Sequence, residues 1–360
     1  MSEQTYTAGQ TYLITGGTGF IGSNVAMRLL QRSPQCNVIL FDRNPDLSRL
    51  TGFGPVYDAV KNRVTYVQGD LTILPHVLAL FDTHQPDSVF HLGALLSAGA
   101  EANPTMGFQT DTVGSWNVFE AARLYCQHAG RPPVRVIFPS TIASFGSFVA
   151  PGALVKNEDI QMPTTMYGSA KVSVERLGEY YNRKGWIDFR AVRYPSVIGA
   201  SRGPGGTTVY STLMIQEPFR DPPRTYIAYV GQDTRLDIIY ISEAVDAILG
   251  LHDVPANKLK PERRVYNIAG LKIGGQSPTA SDIKKAVLAV QPKAVVDFQV
   301  DATLETTVKS FGILDDSAAQ ADWGWKAPAQ RMDLPKAIGA FHEEVIKFPK
   351  RIKSLELFGA

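Results

Sequence analysis

Short apolar runs alternate with amphipathic stretches along the first half of the chain. Runs rich in β-branched and aromatic residues lie at residues 12–15, 37–42, 64–68, 88–92, 134–139 and 188–194. Patterns with helical spacing lie at residues 21–31, 75–83, 106–128 and 167–184. Apolar strands that alternate with helices predict a parallel sheet covered on both faces. The expected fold class is therefore α/β, a doubly wound parallel sheet.

The pattern changes after residue 195. Residues 196–221 are rich in glycine, proline, serine and threonine, and residues 218–223 hold too many prolines for a regular element. Beyond them the pattern predicts short strands at 236–241, 264–268 and 295–299, and helices at 243–251, 279–290 and 334–346. These elements predict a smaller C-terminal lobe, some of whose elements return to the first domain.

The first strand leads into a glycine-rich turn from which a helix departs. Gly16, Gly19 and Gly22 recur at three-residue spacing, with Phe20 and Ile21 at the start of the helix. Glycines at this spacing allow a tight turn, close approach of the backbone to a pyrophosphate, and close helix–strand packing. A helix that begins there directs free N–H groups and the positive end of its dipole toward phosphates. The pattern predicts a dinucleotide site.

The second strand ends at Asp42, about twenty residues after the glycine turn. A carboxylate at this point can bind the ribose hydroxyls of an adenosine, and it repels a 2′-phosphate. The sequence therefore predicts NAD as the cofactor rather than NADP. Arg43 is the one neighbouring residue that could accommodate a 2′-phosphate instead.

Two further strand ends fit the same cleft, because ligands of open α/β sheets bind outside the carboxyl ends of the strands. Asp70 follows the third strand and could accept the adenine amino group, or it could simply stabilise a turn. Small residues follow the fourth strand, where they would let a cofactor lie against the backbone, and His91 is expected to pack rather than react. The residues predicted to contact the cofactor here are Asp70, Leu71, Leu92, Gly93 and Ala94.

Composition narrows the range of partners. The chain has 36 basic and 34 acidic residues, a net charge of +2 and no basic block, so we expect no nucleic-acid partner. No apolar run approaches the roughly 20 residues of a membrane span, so we expect no membrane association. The two cysteines, Cys36 and Cys126, form no disulfide framework, and the histidines lack metal-site spacing. We expect a cytoplasmic protein with no bound metal.

Tyr167 and Lys171 carry the predicted chemistry. At i and i+4 they share one face of a helix, and a lysine ammonium beside a phenol is expected to lower the pKa of that phenol. The phenolate could then accept a proton from a substrate hydroxyl. The same lysine could hold a ribose hydroxyl of the cofactor.

Two other tyrosines, Tyr57 and Tyr180, also stand four residues before a lysine, so the spacing alone is weak evidence. Tyr167 differs because it opens its helix and follows a strand that ends in hydroxyl side chains. A hydroxyl at that strand end could hold the substrate oxygen that Tyr167 deprotonates. Either Ser140 or Thr141 could do so, with Thr141 slightly favoured.

These motifs resemble, in order and spacing, those of the extended short-chain dehydrogenase/reductases, the NAD-dependent epimerase/dehydratase family. The resemblance implies a Rossmann domain over residues 8–195 and a mainly substrate-binding lobe over residues 196–350. It implies bound NAD, Tyr167 as the acid/base and Lys171 as the residue that lowers its pKa. It further implies that Pro195, Val197 and Ile198 border the nicotinamide.

The same resemblance implies a homodimer, formed through the helices predicted at 106–128 and 167–184. Several segments are most similar to the members of the family that oxidise L-threonine, namely residues 138–146, 177–181, 188–190, 205–208 and 314–317. That similarity implies a small polar substrate surrounded by Ser97, Thr141, Tyr167 and Thr207. The glycines before Thr207 and Thr208 admit its carboxylate, to which both hydroxyls donate.

Two features depart from the threonine-oxidising pattern. Asp111 replaces an asparagine that in the family helps to seat the catalytic lysine, and Val209 replaces an acidic residue. Arg235 is similar to an arginine that binds pyrophosphate in sugar-nucleotide epimerases, although it is out of register with that pattern. The expected function is an NAD-dependent dehydrogenase for the secondary alcohol of a small polar substrate, with L-threonine the best candidate. The alternative is an NAD-dependent nucleotide-sugar epimerase/dehydratase.

Overall fold

Seven parallel strands form the central sheet of the computed structural model, which describes residues 9–146, 148–326 and 331–353. The strands among these residues are β1 (Thr11–Thr15), β2 (Asn37–Asp42), β3 (Val64–Gln68), β4 (Ser88–His91), β5 (Arg135–Thr141), β6 (Leu154–Val155), β7 (Asp188–Tyr194), β8 (Ser196–Ile198), β9 (Tyr226–Ala228), β10 (Ile238–Tyr240), β11 (Val265–Asn267), β12 (Val296–Phe298) and β13 (Ile313–Leu314). The order in the central sheet is β11-β7-β5-β4-β1-β2-β3.

The described residues form fifteen α-helices, some of which cover the two faces of this sheet. They are α1 (Phe20–Arg32), α2 (Ser48–Thr51), α3 (Pro55–Asp58), α4 (Leu74–His84), α5 (Ser97–Ala102), α6 (Pro104–Gly107), α7 (Gly114–Ala129), α8 (Met166–Arg183), α9 (Tyr210–Gln216), α10 (Ile241–Asp253), α11 (Ala280–Val290), α12 (Ala302–Lys309), α13 (Ser317–Trp323), α14 (Leu334–Lys347) and α15 (Pro349–Lys353). Short 3₁₀ turns lie at Lys61–Arg63, Ile142–Ser144 and Ala256–Lys258, and a π-helix lies at Phe108–Val113.

The alternation of side chains along β1 shows why both faces are buried. Leu13 packs in a cluster with α4, α7 and α8, whereas its neighbours Tyr12 and Ile14 pack in a second cluster with α1 and α10. A strand that is apolar on both sides requires helices on both sides. The prediction of a doubly wound parallel Rossmann sheet is confirmed. The strand order reverses at β1, which has β2 on one side and β4 on the other, and ligands bind at such a switch point.

Several predicted elements differ in detail from the observed ones. The strand predicted at 264–268 is β11, the edge strand of the central sheet, so part of the C-terminal half does return to it. The helix predicted at 106–128 is a run of α6, the π-helix and α7. Strand β5 extends two residues beyond the predicted 134–139, and it ends in the hydroxyl side chains of Ser140 and Thr141 as expected.

Three two-stranded sheets lie beside the central one: β8 with β10, β9 with β12, and β6 with β13. The sequence did not predict β8 and α9, because they are short and lie inside the glycine- and proline-rich segment. The division into domains at residue 195 stays a prediction. No helix in the described part of the chain is long and apolar enough to cross a bilayer.

Candidate active site

The glycine turn after β1 has no room for side chains. Gly16 has a φ of +65°, and a Cβ built on it would lie 2.7 Å from the backbone nitrogen of Gly93. A Cβ on Gly22 would lie 2.3 Å from the carbonyl oxygen of Gly16. Gly19 is the N-cap of α1 and provides no side chain to occupy the first free N–H groups of the helix. The turn therefore presents bare backbone donors, which suits the pyrophosphate of a dinucleotide.

Asp42 ends β2 beside this turn and is held by backbone groups. One carboxylate oxygen accepts from the N–H of Thr18 at 3.2 Å and the other accepts from the N–H of Asn44 at 3.2 Å. Arg43 turns away from Asp42, and its Nη1 lies 3.7 Å from a carboxylate oxygen of Asp70. The carboxylate at this strand end is thus fixed in the position expected for binding ribose hydroxyls.

A cavity of about 450 Å³ runs along the carboxyl ends of the strands from this point. It brings together the predicted cofactor residues Gly16, Gly19, Phe20, Ile21, Gly22, Asp42, Asp70, Leu71, Leu92, Gly93, Ala94, Tyr167, Lys171, Pro195 and Val197. The predicted substrate and hydroxyl residues that line it are Ser97, Ser140, Thr141, Thr207 and Thr208.

Two predicted site residues do not line this cavity. Ile198 is fully buried in the core, because successive side chains of β8 point to opposite sides and Val197 takes the cavity side. Arg235 lies in the C-terminal half, where its Nη1 donates to the carbonyl oxygen of Ser277 at 2.7 Å. Its guanidinium is therefore held away from the cavity.

Tyr167 reaches the cavity because α8 begins against the end of β5. The Thr165 hydroxyl oxygen caps the helix by accepting from the N–H of Gly168 at 3.0 Å. A Cβ on Gly168 would lie 2.1 Å from the carbonyl oxygen of Ala143, so the helix start touches the turn that follows β5. This contact brings Tyr167 to the strand end that carries Thr141.

The two hydroxyls at the end of β5 have different surroundings. The Ser140 hydroxyl donates to Glu175, a fully buried carboxylate that pairs with Arg193 at 2.8 Å. The Thr141 hydroxyl oxygen accepts from the N–H of Ala143 at 3.1 Å, which leaves its proton available to a ligand. Thr141 is therefore better placed than Ser140 to donate to a substrate oxygen.

Lys171 is buried below Tyr167. Its Nζ donates to the carbonyl oxygen of Pro139 at 2.9 Å and lies 4.2 Å from the ring centre of Phe138. Burial lowers the pKa of Lys171 to about 8, against the opposing effect of the nearby negative charge of Asp111. The Nζ lies 5.4 Å from the ring centre of Tyr167.

The expectation that Lys171 brings the pKa of Tyr167 toward neutrality is wrong for the protein alone. Burial raises the pKa of the phenol well above its usual range, and the negative charge of Asp111 raises it further. Only the charge of Arg202 acts in the opposite direction. Desolvation of the phenolate outweighs the attraction of cations here, and the sequence could not predict this balance.

Asp111 lies in the π-helix, and its negative charge raises the pKa of both Tyr167 and Lys171. One of its carboxylate oxygens accepts from the N–H of Leu95 at 2.6 Å, and the other has no hydrogen-bond partner among the described residues. Burial raises the pKa of Asp111 to about 6, although Lys171 lowers it. The sequence identified the substitution at this position, but not the π-helix or the unpaired oxygen.

Asp111→Asn should shift the pH profile of catalysis toward acid. Above about pH 6 the wild-type carboxylate is ionised and raises the pKa of Tyr167. The variant lacks this charge, so the phenolate forms more readily and the acidic limb of kcat/KM should move down by about one pH unit. Initial rates from pH 5.5 to 9.5 measure the shift. An unchanged limb, or a move to higher pH, would contradict the electrostatic role of Asp111.

The sequence did not predict every residue of the cavity. One that it missed is Arg202, which lies close to Thr208. A single arginine within a glycine- and proline-rich segment has no periodicity or motif around it, so only the folded structure reveals its position.

The carboxyl edge of this Rossmann sheet carries a cavity with the features expected of a dinucleotide site. Comparison with known sequences agrees, because residues 12–269 match the NAD dependent epimerase/dehydratase family. The chain belongs to this family, and it is an NAD-dependent oxidoreductase of the extended short-chain dehydrogenase/reductase type.

Similar proteins include several threonine dehydrogenases. The mitochondrial L-threonine 3-dehydrogenase of Bos taurus is 32% identical over 331 residues, which cover 91% of this chain and 81% of that protein. The L-threonine dehydrogenase structure from Clostridium difficile has a TM-score of 0.80 at 28% identity and covers 96% of this chain and 99% of that one. The holo form of a GalE-like L-threonine dehydrogenase from Cupriavidus necator has a TM-score of 0.79 at 29% identity, covering 93% and 99% respectively.

Proposed function

We propose that this enzyme oxidises the secondary alcohol of a small polar substrate, and that L-threonine is the best candidate. The observation that carries the proposal is the meeting of Tyr167 and Thr141 at the end of β5, next to a cavity wall rich in hydroxyls. The similarity to L-threonine dehydrogenases supports the choice of substrate.

The residues along the first strands fit the cofactor. The bare N–H groups after Gly19 would hold the pyrophosphate of NAD, and Asp42 would hold its adenosine ribose. Both lie at the switch point of the sheet, where ligands of this fold bind. When bound, NAD supplies the hydride acceptor. Leu92 and Gly93 would lie against it, since the backbone after β4 touches the glycine turn.

The remaining steps belong to side chains of this chain. Thr141 donates its hydroxyl proton to the substrate oxygen and so fixes that oxygen beside Tyr167. Tyr167 accepts the proton of the substrate hydroxyl at its Oη. Lys171, anchored on the Pro139 carbonyl, can donate to a ribose hydroxyl of the cofactor.

Thr207 is proposed to bind the carboxylate of the substrate. Its hydroxyl has no hydrogen bond to another described residue, whereas its carbonyl oxygen accepts from the hydroxyl of Tyr229 at 2.6 Å, which fixes the backbone. The Thr208 hydroxyl is already within 2.8 Å of the Ser196 hydroxyl. Thr207 therefore has the more available donor of the two.

Thr207→Val should raise KM for the small substrate about tenfold, the roughly 1–1.5 kcal/mol of one lost hydrogen bond. NADH formation, followed at 340 nm across hydroxy-amino acids, hydroxy acids and sugars, identifies the substrate. The same assay then gives KM for the wild type and for the variant. Arg235→Ala is the matched control, since its guanidinium binds Ser277 outside the cavity, and it should leave KM unchanged.

The alternative, a nucleotide-sugar epimerase or dehydratase, makes the opposite prediction. It needs a cation for the pyrophosphate of its substrate, and the sequence offered Arg235. If Arg235→Ala abolished a thermal shift with uridine diphosphate, and if no hydroxy compound gave NADH, the dehydrogenase proposal would be wrong. Arg235 does not line the cavity and is held by the Ser277 carbonyl, which counts against this alternative.

We also propose a homodimer formed through the run of α6 to α7 and through α8. The support is a group of large apolar side chains left exposed along these elements: Met106, Phe108, Trp116 and Tyr180. Exposed apolar side chains clustered on neighbouring helices are typical of an interface. A monomeric mass by light scattering would contradict the dimer. The cytoplasmic location stays a prediction.

A further inference from the structure

The guanidinium of Arg202 is fixed at the substrate end of the cavity by neutral oxygens. Its Nη1 donates to the carbonyl oxygen of Val197 at 2.6 Å and to the Ser196 hydroxyl at 3.0 Å, with Thr212 further away at 3.3 Å. Its Nη2 has only a long contact, 3.4 Å to the Thr208 hydroxyl. One edge of the guanidinium is thus anchored, and the other has donor capacity to spare.

The positive charge of Arg202 is not neutralised by its surroundings. None of the ion pairs among the described residues includes Arg202. The acidic side chains among the described residues that line the cavity are Asp42 and Asp70, which lie at the ends of β2 and β3. Burial lowers the pKa of Arg202 only to about 10, so it stays charged at neutral pH. A half-buried cation without a carboxylate partner is costly unless a ligand supplies the negative charge.

The backbone beside Arg202 leaves its free edge accessible. A Cβ built on Gly206 would lie 3.1 Å from Nη2, so any larger residue there would crowd the guanidinium. Gly206 is followed by Thr207, whose hydroxyl has no partner among the described residues. The free edge of Arg202 and this hydroxyl line the same end of the cavity as Ser97 and Thr141.

We propose that Arg202 binds the carboxylate of the substrate, and that the enzyme therefore takes small hydroxy acids as a class. This inference rests on the dehydrogenase function proposed above and narrows it. A planar guanidinium suits two carboxylate oxygens, and an ion pair in a water-poor cavity discriminates strongly against neutral analogues. Among the described residues, no acidic side chain lines this end of the cavity to pair with an ammonium group. The amine of L-threonine is therefore not recognised by an ion pair.

The test compares substrates with and without a carboxylate in three proteins: the wild type, Arg202→Gln and Arg202→Lys. The substrates are L-threonine, its amide, 3-hydroxybutyrate and 1-amino-2-propanol. The wild type should use L-threonine and 3-hydroxybutyrate with kcat/KM values within about tenfold of each other, and the two neutral-ended compounds much more poorly. Arg202→Gln should raise KM for both acids at least tenfold and should not raise KM for the amide or the amino alcohol. Because the charge of Arg202 lowers the pKa of Tyr167, the variant should also move the acidic limb of kcat to higher pH for all four compounds. Arg202→Lys should recover part of the loss.

A purely structural role for Arg202 would give a different result. It would raise KM for acids and neutral compounds alike, and that outcome would overturn the inference, as would a strict requirement for the amine. Titration with NADH provides the folding control, because that site lies mainly along β1 to β4, and its Kd should be the same in all three proteins.

Binding separates this inference from the proposed function. If the wild type oxidised none of the four compounds, the function would fail, but thermal shifts of the NADH-saturated protein with 3-hydroxybutyrate would still test Arg202. A shift in the wild type that is lost in Arg202→Gln supports carboxylate binding. No shift in the wild type, or equal shifts in both proteins, overturns it. A shift with uridine diphosphate alone would also overturn it, since the anion bound would then be a phosphate.

Discussion

Tyr167→Phe is expected to lower kcat by roughly 10²–10⁴ while the affinity for NADH stays nearly constant, because the change removes only the atom that accepts the substrate proton. The aromatic ring of phenylalanine still fills the place of the tyrosine ring against Ile142, in the turn that follows β5. Steady-state rates with the best substrate and a fluorescence titration with NADH measure the two quantities.

The chain contains two matched controls for this change. Tyr57 and Tyr180 also stand four residues before a lysine, but Tyr57 is buried in the core near α3 and Tyr180 is exposed on the outer part of α8. Tyr57→Phe and Tyr180→Phe should each leave kcat within a few-fold of the wild type. An inactive Tyr180→Phe, beside an active Tyr167→Phe, would mean that proton transfer occurs elsewhere.

Asp42→Ala should weaken NAD binding by about 1.5–3 kcal/mol, the loss of a charged hydrogen bond to the ribose, or roughly 10- to 150-fold in Kd. The variant should also lose much of the discrimination against NADP, because no carboxylate remains to repel a 2′-phosphate. Parallel titrations with NAD and NADP give both values.

Asp58→Ala is the control for Asp42→Ala, since Asp58 is an exposed acid that pairs with Lys61 on the surface. It should leave both affinities unchanged. Equal use of NAD and NADP by the wild type would contradict the role of Asp42. It would instead indicate that Arg43 leaves its contact with Asp70 to bind a 2′-phosphate.

The parts of the molecule that depend on local pattern could be predicted from the sequence. The glycine turn, the strand that ends at Asp42 and the helix that starts beside Tyr167 each follow from residue spacing over short stretches. These features lie in one cavity because the carboxyl ends of parallel strands all lie at the same edge of the sheet.

The parts that depend on burial could not be predicted. The pKa of Tyr167 reflects desolvation, and the free edge of Arg202 reflects which oxygens the fold places around it. Arg235 matched a motif by similarity, yet its guanidinium binds a backbone carbonyl instead. In each case the decisive neighbour is distant in sequence or is a backbone atom, which residue spacing does not reveal.

Because Gly168 contacts the Ala143 carbonyl oxygen, substitutions beside the proton acceptor and substitutions beside the substrate have different consequences in this enzyme. The contact joins Tyr167 and Thr141 into one rigid unit, so a substitution that added bulk there would disturb the chemistry for every substrate. Arg202 and Thr207 lie on a different stretch of chain, the segment between β8 and α9. That segment can exchange residues without moving the proton acceptor. Descendants of this scaffold could therefore acquire new substrates by changes in a few neighbouring codons while retaining the same oxidation step.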